Sequence, residues 1–347
     1  MAEYRWLLKE PVDFFLGLFQ SPYDYEHGNY IQAFGAYWKD LANNLVIKLQ
    51  AVFNILTKGY YPTNALLMNS IGFMGSVAIY RTFIPYYPKQ KIALIFSCFL
   101  IPTTLYFTSG IHKDLFVFTS LGFLVYATNR IGTSGFTMKR LMLLVVSLIT
   151  IGLFRNFLLV CILPCLIAYF ICLQSRIKPT YIYSSTFLIL AFFVLTLTFL
   201  KPEWSPWNWI VQKQHDFLAL KTAGSQLPME KIENNGTSII RTFPMAVNHG
   251  FFRPYFWGTQ NPFAIMLGLE LYFFVIIGLA YLFQNRKKEL GFNPPIIGFA
   301  ILCSVMMIIT IGYIVPNGFS IVRYRSIYLP FIITPILAGL SLPFNRK

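Results

Sequence analysis

Charge is what this chain has least of. Only 12% of its 347 residues are Asp, Glu, Lys or Arg, against about 25% in an ordinary soluble domain. Cysteine is sparse too: Cys98, Cys161, Cys165, Cys172 and Cys303 all fall inside apolar stretches. They read as small core hydrophobes rather than a disulfide framework. Cys161 and Cys165 share a helical face, but no histidine or carboxylate joins them to complete a metal set. The four histidines, His27, His112, His215 and His249, include no pair one helical turn apart, so the usual histidine metal signature is missing. The residues leave a divalent metal open without indicating one, and the cofactor is unknown. A glycine-rich nucleotide fingerprint is also lacking. The net charge of +15 would suit a polyanion, but the cations build no basic soluble module, which argues against nucleic acid.

Apolar residues fill the space instead. The chain is 56% hydrophobic and 18% aromatic, with a mean hydropathy of +0.57. Apolar runs fall at 62–80, 92–109, 114–128, 140–154, 156–173, 182–200, 263–284, 294–315 and 326–342. Most approach the roughly 20 residues a helix needs to cross a bilayer. Basic residues occupy every second gap: Arg81, Lys89 and Lys91; Arg130, Lys139 and Arg140; Arg176 and Lys178; Arg286, Lys287 and Lys288; Arg346 and Lys347. By the positive-inside rule those gaps and the C-terminus are cytoplasmic, and they suit anionic lipid headgroups. The expectation is an all-α polytopic membrane protein of about nine transmembrane helices.

Four segments follow. Residues 1–61 form an external N-terminal segment with interfacial helices, since Leu41, Leu45, Leu49, Val52 and Leu56 recur at helical spacing between polar residues. Nine crossings with a cytoplasmic C-terminus leave this segment outside, which leads to the expectation that a membrane helix precedes Met1. Residues 62–200 form a first transmembrane bundle, 201–262 a long external loop and 263–347 the last membrane helices. Arg155-Asn156 interrupts nearly continuous apolar sequence over 140–173. An arginine at mid-bilayer is costly, so it marks an external turn between two short helices. Pro102 and Pro164 sit mid-run and are expected to kink their helices. Trp204, Trp207, Trp209 and Trp257 at the two ends of the loop fit interfacial anchors.

Three polar constellations stand on the external side. Tyr23 to Tyr30 includes Asp24, Glu26 and His27. Asp24 and His27 are three apart, close enough on one helical face to form a general-base pair, or Asp24 caps a helix in a solvated loop. The short turn Ser109-Gly110-Ile111-His112-Lys113-Asp114 compresses three ionisable groups between apolar runs. Asp114 suits the positive end of the following helix, and Lys113 offers a point charge to a phosphate. Capping and snorkelling would account for both without a ligand. Arg323-Tyr324-Arg325, followed by Tyr328 and Pro330, opens the last helix on the side where topology does not favour cations. Arginine forks bind phosphate oxygens bidentately, and Arg155 in the other short turn is placed to converge with them. Glu270, inside a membrane run, reads either as a proton-relay group or as a paired structural acid.

The acidic motif before juxtamembrane helices, the polar turn after Ile101-Pro102, and the Arg-Tyr-x-x-x-x-x-Pro start of the last helix (Arg323, Tyr324, Pro330) together resemble the GT-C superfamily of bacterial multi-pass membrane glycosyltransferases. The resemblance spans most of the chain through short motifs, and the family's acidic pair is here Asp24-Tyr25-Glu26. It implies sugar transfer from a polyprenyl-phosphate donor to a glycan or lipid acceptor at the outer face of the cytoplasmic membrane, in cell-envelope polysaccharide biosynthesis. Asp24 and Glu26 become the catalytic acids and Lys113, Arg155, Arg323 and Arg325 the phosphate partners, supported by His27, His112 and Asp114. Two other readings stay open. A repeat-unit polymerase of the O-antigen type would use Lys213, Lys221, Arg241 and Arg253 of the long loop. A lipid-linked glycan transporter or flippase would place its polar groups at mid-bilayer, where Glu270 lies.

Overall fold

The computed structural model describes residues 2–18, 30–219, 226–284 and 294–340, with side chains of the third helix described from Leu41 onward. Among these residues every regular element is helical. In order they are α1 (Ala2–Lys9), α2 (Pro11–Leu16), α3 (Tyr30–Thr57), α4 (Tyr61–Phe83), α5 (Lys91–Phe99), α6 (Pro102–Thr108), α7 (Lys113–Ser134) and α8 (Met138–Arg155). After these come α9 (Leu158–Gln174), α10 (Pro179–Leu200), α11 (Trp207–Leu218), α12 (Gly236–Phe252), α13 (Pro262–Gln284), α14 (Pro295–Ile314), α15 (Gly318–Ser326) and α16 (Leu329–Gly339).

The protein is a helical membrane protein, and the described residues of each of the nine apolar runs are mainly helical. Among the described residues five spans are long and apolar enough to cross a bilayer: α5 with α6, α7, α10, α13 and α14. A sixth is added if α15 and α16, bent by 61° at their junction, count as one. Runs 62–80, 140–154 and 156–173 form α4, α8 and α9, which do not meet that measure. The reason is visible in two of them: α8 carries Lys139, Arg140 and Arg155, and α9 has 17 residues. The run at 92–109 breaks at Leu100–Ile101, where α6 restarts with Pro102 as its first residue. Pro has no N–H to lose at a helix start. Pro164, by contrast, lies inside α9.

Helices α7 and α14 form the centre, each with 72% of its apolar window buried, whereas α10 and α13 bury 17% and 28%. Leu188, Ile189 and Phe192 on α10 and Ile276 on α13 are exposed, as a lipid-facing surface requires. Small residues let the central helices approach their neighbours. A Cβ on Gly122 of α7 would lie 2.6 Å from the Gly75 carbonyl oxygen of α4, and one on Gly312 of α14 would lie 1.9 Å from that of Ala246 on α12.

The segment read as a long aqueous loop is largely helical. Helices α11 and α12 pack on α14, and Asn235, formally a glycosylation sequon, caps α12 by accepting from Ser238 N at 2.6 Å. Trp207 does not anchor at an interface. It is buried, donates from Nε1 to the Glu233 carbonyl at 3.2 Å, and meets Tyr313 edge-on. Trp204, Trp209 and Trp257 stay exposed. At the other terminus α1 and α2 pack on α3, where Lys48 lies between Glu3 (3.4 Å) and the rings of Trp6 and Phe14.

Candidate functional site: a cationic cavity built on Asp114

The start of α7 is shaped by its preceding turn. Gly110 adopts φ +90, a conformation that side-chain-bearing residues rarely take, and its N–H donates to Asn69 Oδ1 of α4 at 2.7 Å. The chain then enters α7 with His112 at the N-cap position, Lys113 first and Asp114 second. No side chain caps this helix through a hydrogen bond, so simple capping does not account for Asp114. Its carboxylate, 1% exposed, is instead shared by two arginines. Arg155, the last residue of α8, donates from Nη2 to Oδ1; Arg323 on α15 donates from Nε to Oδ2. Charge-assisted bonds of this kind are about twice as strong as neutral ones.

The two arginines differ in what remains for a ligand. The Arg155 side chain is 10% exposed, and its guanidinium lies 3.9 Å over the Tyr324 ring, a favourable cation–π contact. Arg323 is 39% exposed and bonds only through Nε among the described residues, so its two Nη groups remain for a ligand.

These groups line one cavity of about 740 Å³. Its wall includes His112, Lys113, Asp114, Arg155, Arg323 and Tyr324, with Asn43 from α3 and Lys213 from α11. Phe154, Phe157, Ile311 and Val315 supply an apolar side. Among the described residues of the wall, Lys113, Arg155 and Arg323 accompany the carboxylate of Asp114. Lys213 adds little, because Asp216 pairs with it at 3.1 Å. The cavity is thus an electropositive recess with a greasy flank, suited to an anion attached to an apolar group.

Of the sequence candidates, the structure unites His112, Lys113, Asp114, Arg155 and Arg323. Arg325 is not among them. It is 3% exposed and turned toward the C-terminal end of α12, where Nη1 donates to the carbonyl oxygens of Gly250 (2.9 Å) and Arg253 (2.8 Å). A guanidinium there satisfies helix-end carbonyls and complements the helix dipole, so Arg325 acts as a cap rather than a phosphate ligand. Glu270 belongs to this second neighbourhood. It accepts from Thr103 N (3.2 Å) and Thr103 Oγ1 (2.7 Å), closing the start of α6. Asp24, Glu26 and His27 lie outside the described residues.

No family model, curated protein or solved structure matches this chain. The site must therefore be read from its own chemistry. Among the described residues no three His, Cys, Asp or Glu side chains are grouped to hold a metal ion. Sequence reasoning did not place Asn43 at this site, and it named Tyr324 within a motif without giving it a role there. Tyr324 carried one available signal: it lies between two arginines, where an aromatic face can seat a guanidinium.

Proposed function

We propose that the chain is a membrane glycosyltransferase that takes a sugar from a polyprenyl-phosphate donor at the outer face of the bacterial cytoplasmic membrane. The observation that carries this reading is the cavity in which Arg323 and Lys113 stand beside the buried Asp114–Arg155 pair, against an apolar flank. Phosphate on a hydrocarbon carrier needs both halves of that surface. Segments 109–114, 155–157 and 315–324 all reach this cavity, and they alternate along the chain with the gaps that hold Arg81, Arg130, Arg176 and Arg286. This supports an arrangement of nine crossings with the cavity outside and the C-terminus cytoplasmic.

In the reaction, a carboxylate of Asp24 or Glu26 takes the proton of the acceptor hydroxyl. The acceptor oxygen bonds to the sugar C1 as the bond from C1 to the phosphate oxygen breaks, with inversion. The electron pair leaves with the lipid phosphate, whose charge Arg323 and Lys113 stabilise. Arg155 and Asp114 hold Arg323 in place. The polymerase reading draws on loop cations, but Arg241 pairs with Glu230 at 3.4 Å and Arg253 stacks 5.0 Å from the Tyr255 ring centre.

The test is sugar transfer by the purified protein in nanodiscs. Asp24→Asn should remove about 10²–10⁴-fold of the rate without changing abundance. Persistent transfer in Asp24→Asn and Glu26→Gln, with loss in Arg241→Ala or Arg253→Ala, would replace this reading by the polymerase. Orientation is checked by labelling Ser225→Cys and Lys287→Cys in intact cells, where only the first should react.

A further inference from the structure

The 109–114 turn borders a second recess as well: Ser109 lines it, whereas Ile111 to Asp114 line the cationic cavity. This recess, about 590 Å³ in volume, lies against α4 where α5 stops at Phe99 and α6 restarts at Pro102. Along α4 its wall runs from Leu66 to Ser76, roughly 15 Å at the helical rise. Among the described residues no charged side chain lines it. Asn69, Ser70, Thr108 and Ser109 gather at the end near the turn. Toward the helix break the wall is Phe73, Phe99 and Leu100, with Ser76 beside them and the two phenyl centres 5.5 Å apart. Three of the hydroxyl protons are already used within the protein. Ser70 Oγ donates to the Leu66 carbonyl at 3.0 Å, Thr108 Oγ1 to that of Thr104 at 2.6 Å, and Ser109 Oγ to that of Tyr106 at 2.9 Å. Their oxygens keep lone pairs to accept with. Asn69 is the converse: Oδ1 accepts from Gly110 N at 2.7 Å, and the Nδ2 protons are unbonded among the described residues.

We infer that this recess binds a neutral amphiphile with a polyol head, of the monoacylglycerol kind. The head lies at Asn69, Ser70 and Ser109, and the hydrocarbon lies against Phe73, Phe99 and Leu100. Oxygens whose protons are spent call for a ligand that donates, while Asn69 calls for one that accepts. A hydroxyl does both. A phosphate or carboxylate brings only acceptors and meets no cation here, and an ammonium meets no carboxylate, so either charge would be enclosed without a partner. A purely apolar ligand would cover the Asn69 amide and leave it unpaired. The volume falls within the roughly 300–1,000 Å³ of small-molecule sites. Leu66 and Leu105 on its wall are 65% and 49% exposed, so the recess opens on the outer, apolar surface of the bundle. The inference uses none of the residues assigned to sugar transfer, and its failure leaves that reading untouched. Asn69 still joins the two regions, because the amide that faces the head also fixes Gly110, two residues before His112.

The test is photolabelling of the full chain in phosphatidylcholine nanodiscs with a photoreactive monooleoylglycerol. Purification should use an amine-oxide detergent, since maltoside heads carry hydroxyls of their own. Adducts are expected in Tyr61–Phe83 and in residues 91–109. Unlabelled monooleoylglycerol should compete at least about tenfold better than methyl oleate, which lacks the head donors, or oleoyl phosphate, which carries charge. Ser70→Trp, at an exposed position of α4, fills the head end and should lower labelling by at least about tenfold. Leu105→Trp repeats the test from the facing wall. Adducts confined to other helices overturn the site, and equal competition by methyl oleate or oleoyl phosphate overturns the head assignment. Undiminished labelling in both tryptophan variants overturns the inference outright. Should those variants fail to fold, adduct position and competition in wild type still decide. Asn69→Asp then adds a third reading: it keeps an acceptor for Gly110 N but loses the donor, so labelling should fall, and wild-type labelling counts against the head assignment.

Discussion

Arg323 and Arg325 sit two residues apart on α15 and serve different neighbourhoods. Around Arg323 the protein supplies one carboxylate, a second arginine and a cavity, and it leaves part of the fork unbonded. Around Arg325 it supplies the carbonyls of Gly250 and Arg253 with Glu270 nearby, and it encloses the side chain almost completely. The contrast teaches that two arginines in one helix have two separate uses. One lines a cavity; the other closes a helix end inside the bundle. Helical geometry separates them, since positions i and i+2 do not share a face.

The comparison can be broken at its strongest point, Asp114. Asp114→Ala leaves Arg155 and Arg323 without their common carboxylate, and breaking a buried pair costs about 3–5 kcal/mol. Denaturant unfolding in detergent should register that loss; a variant as stable as wild type would show that the carboxylate does not organise the cavity. Converting Arg155 and Arg323 to Met in the same Asp114→Ala background should recover much of the stability, because no buried charge then lacks a partner.

Next comes a crossed pair. Arg325→Met strands two helix-end carbonyls, at about 1–3 kcal/mol for each buried group left unpaired, and should leave isopentenyl phosphate affinity unchanged. Arg323→Lys should do the reverse: binding falls about tenfold or more as the planar fork is lost, while Asp114 keeps Arg155 and stability drops less. If both variants reduce binding equally, the two neighbourhoods are one site and the distinction fails.

The effect that pH alone reveals belongs to His249, one residue before Gly250. Burial, reinforced by the positive charge of Arg253, pushes its imidazole down from 6.5 to about 4, and Nδ1 has no hydrogen-bond partner among the described residues. Between those values the unfolded chain binds a proton that the folded one refuses. This contribution is therefore constant above pH 6.5, and stability declines as pH falls from 6.5 toward 4, by at most about 1.4 kcal/mol per unit for one proton. His249→Gln should flatten that part of a melting-temperature profile measured between pH 7 and 4.5. An unchanged slope would remove His249 as its source.

Much of this was legible in the residues. The apolar runs became helices, five or six of them long and apolar enough to cross a bilayer, where a backbone must satisfy its own hydrogen bonds. Lys113, Asp114, Arg155 and Arg323 stood out because charge between apolar runs is expensive to place without a purpose. The break before Pro102 and the burial of all five cysteines followed from local chemistry in the same way. Helices α11 and α12 were hidden by a stretch rich in Trp, Pro and Asn, with Pro244 inside α12 itself. Their stability comes from packing on α14, which no local pattern reports. The role of Arg325 was hidden for the same reason, since its partners exist only once α12 folds back against α15.

The sequence by itself determined the helical, lipid-facing character of the chain and the positions where charge is concentrated. Both depend on the transfer of short segments between water and hydrocarbon, a property of those segments alone. Tertiary structure decided which charges meet. Asp114 finds its partners 41 and 209 residues away, and electrostatic pairing depends on distance through space and local dielectric rather than on separation along the chain. Tertiary structure also decided that Lys113, Arg155 and Arg323 line one recess, because a cavity is bounded by several helices and belongs to none of them.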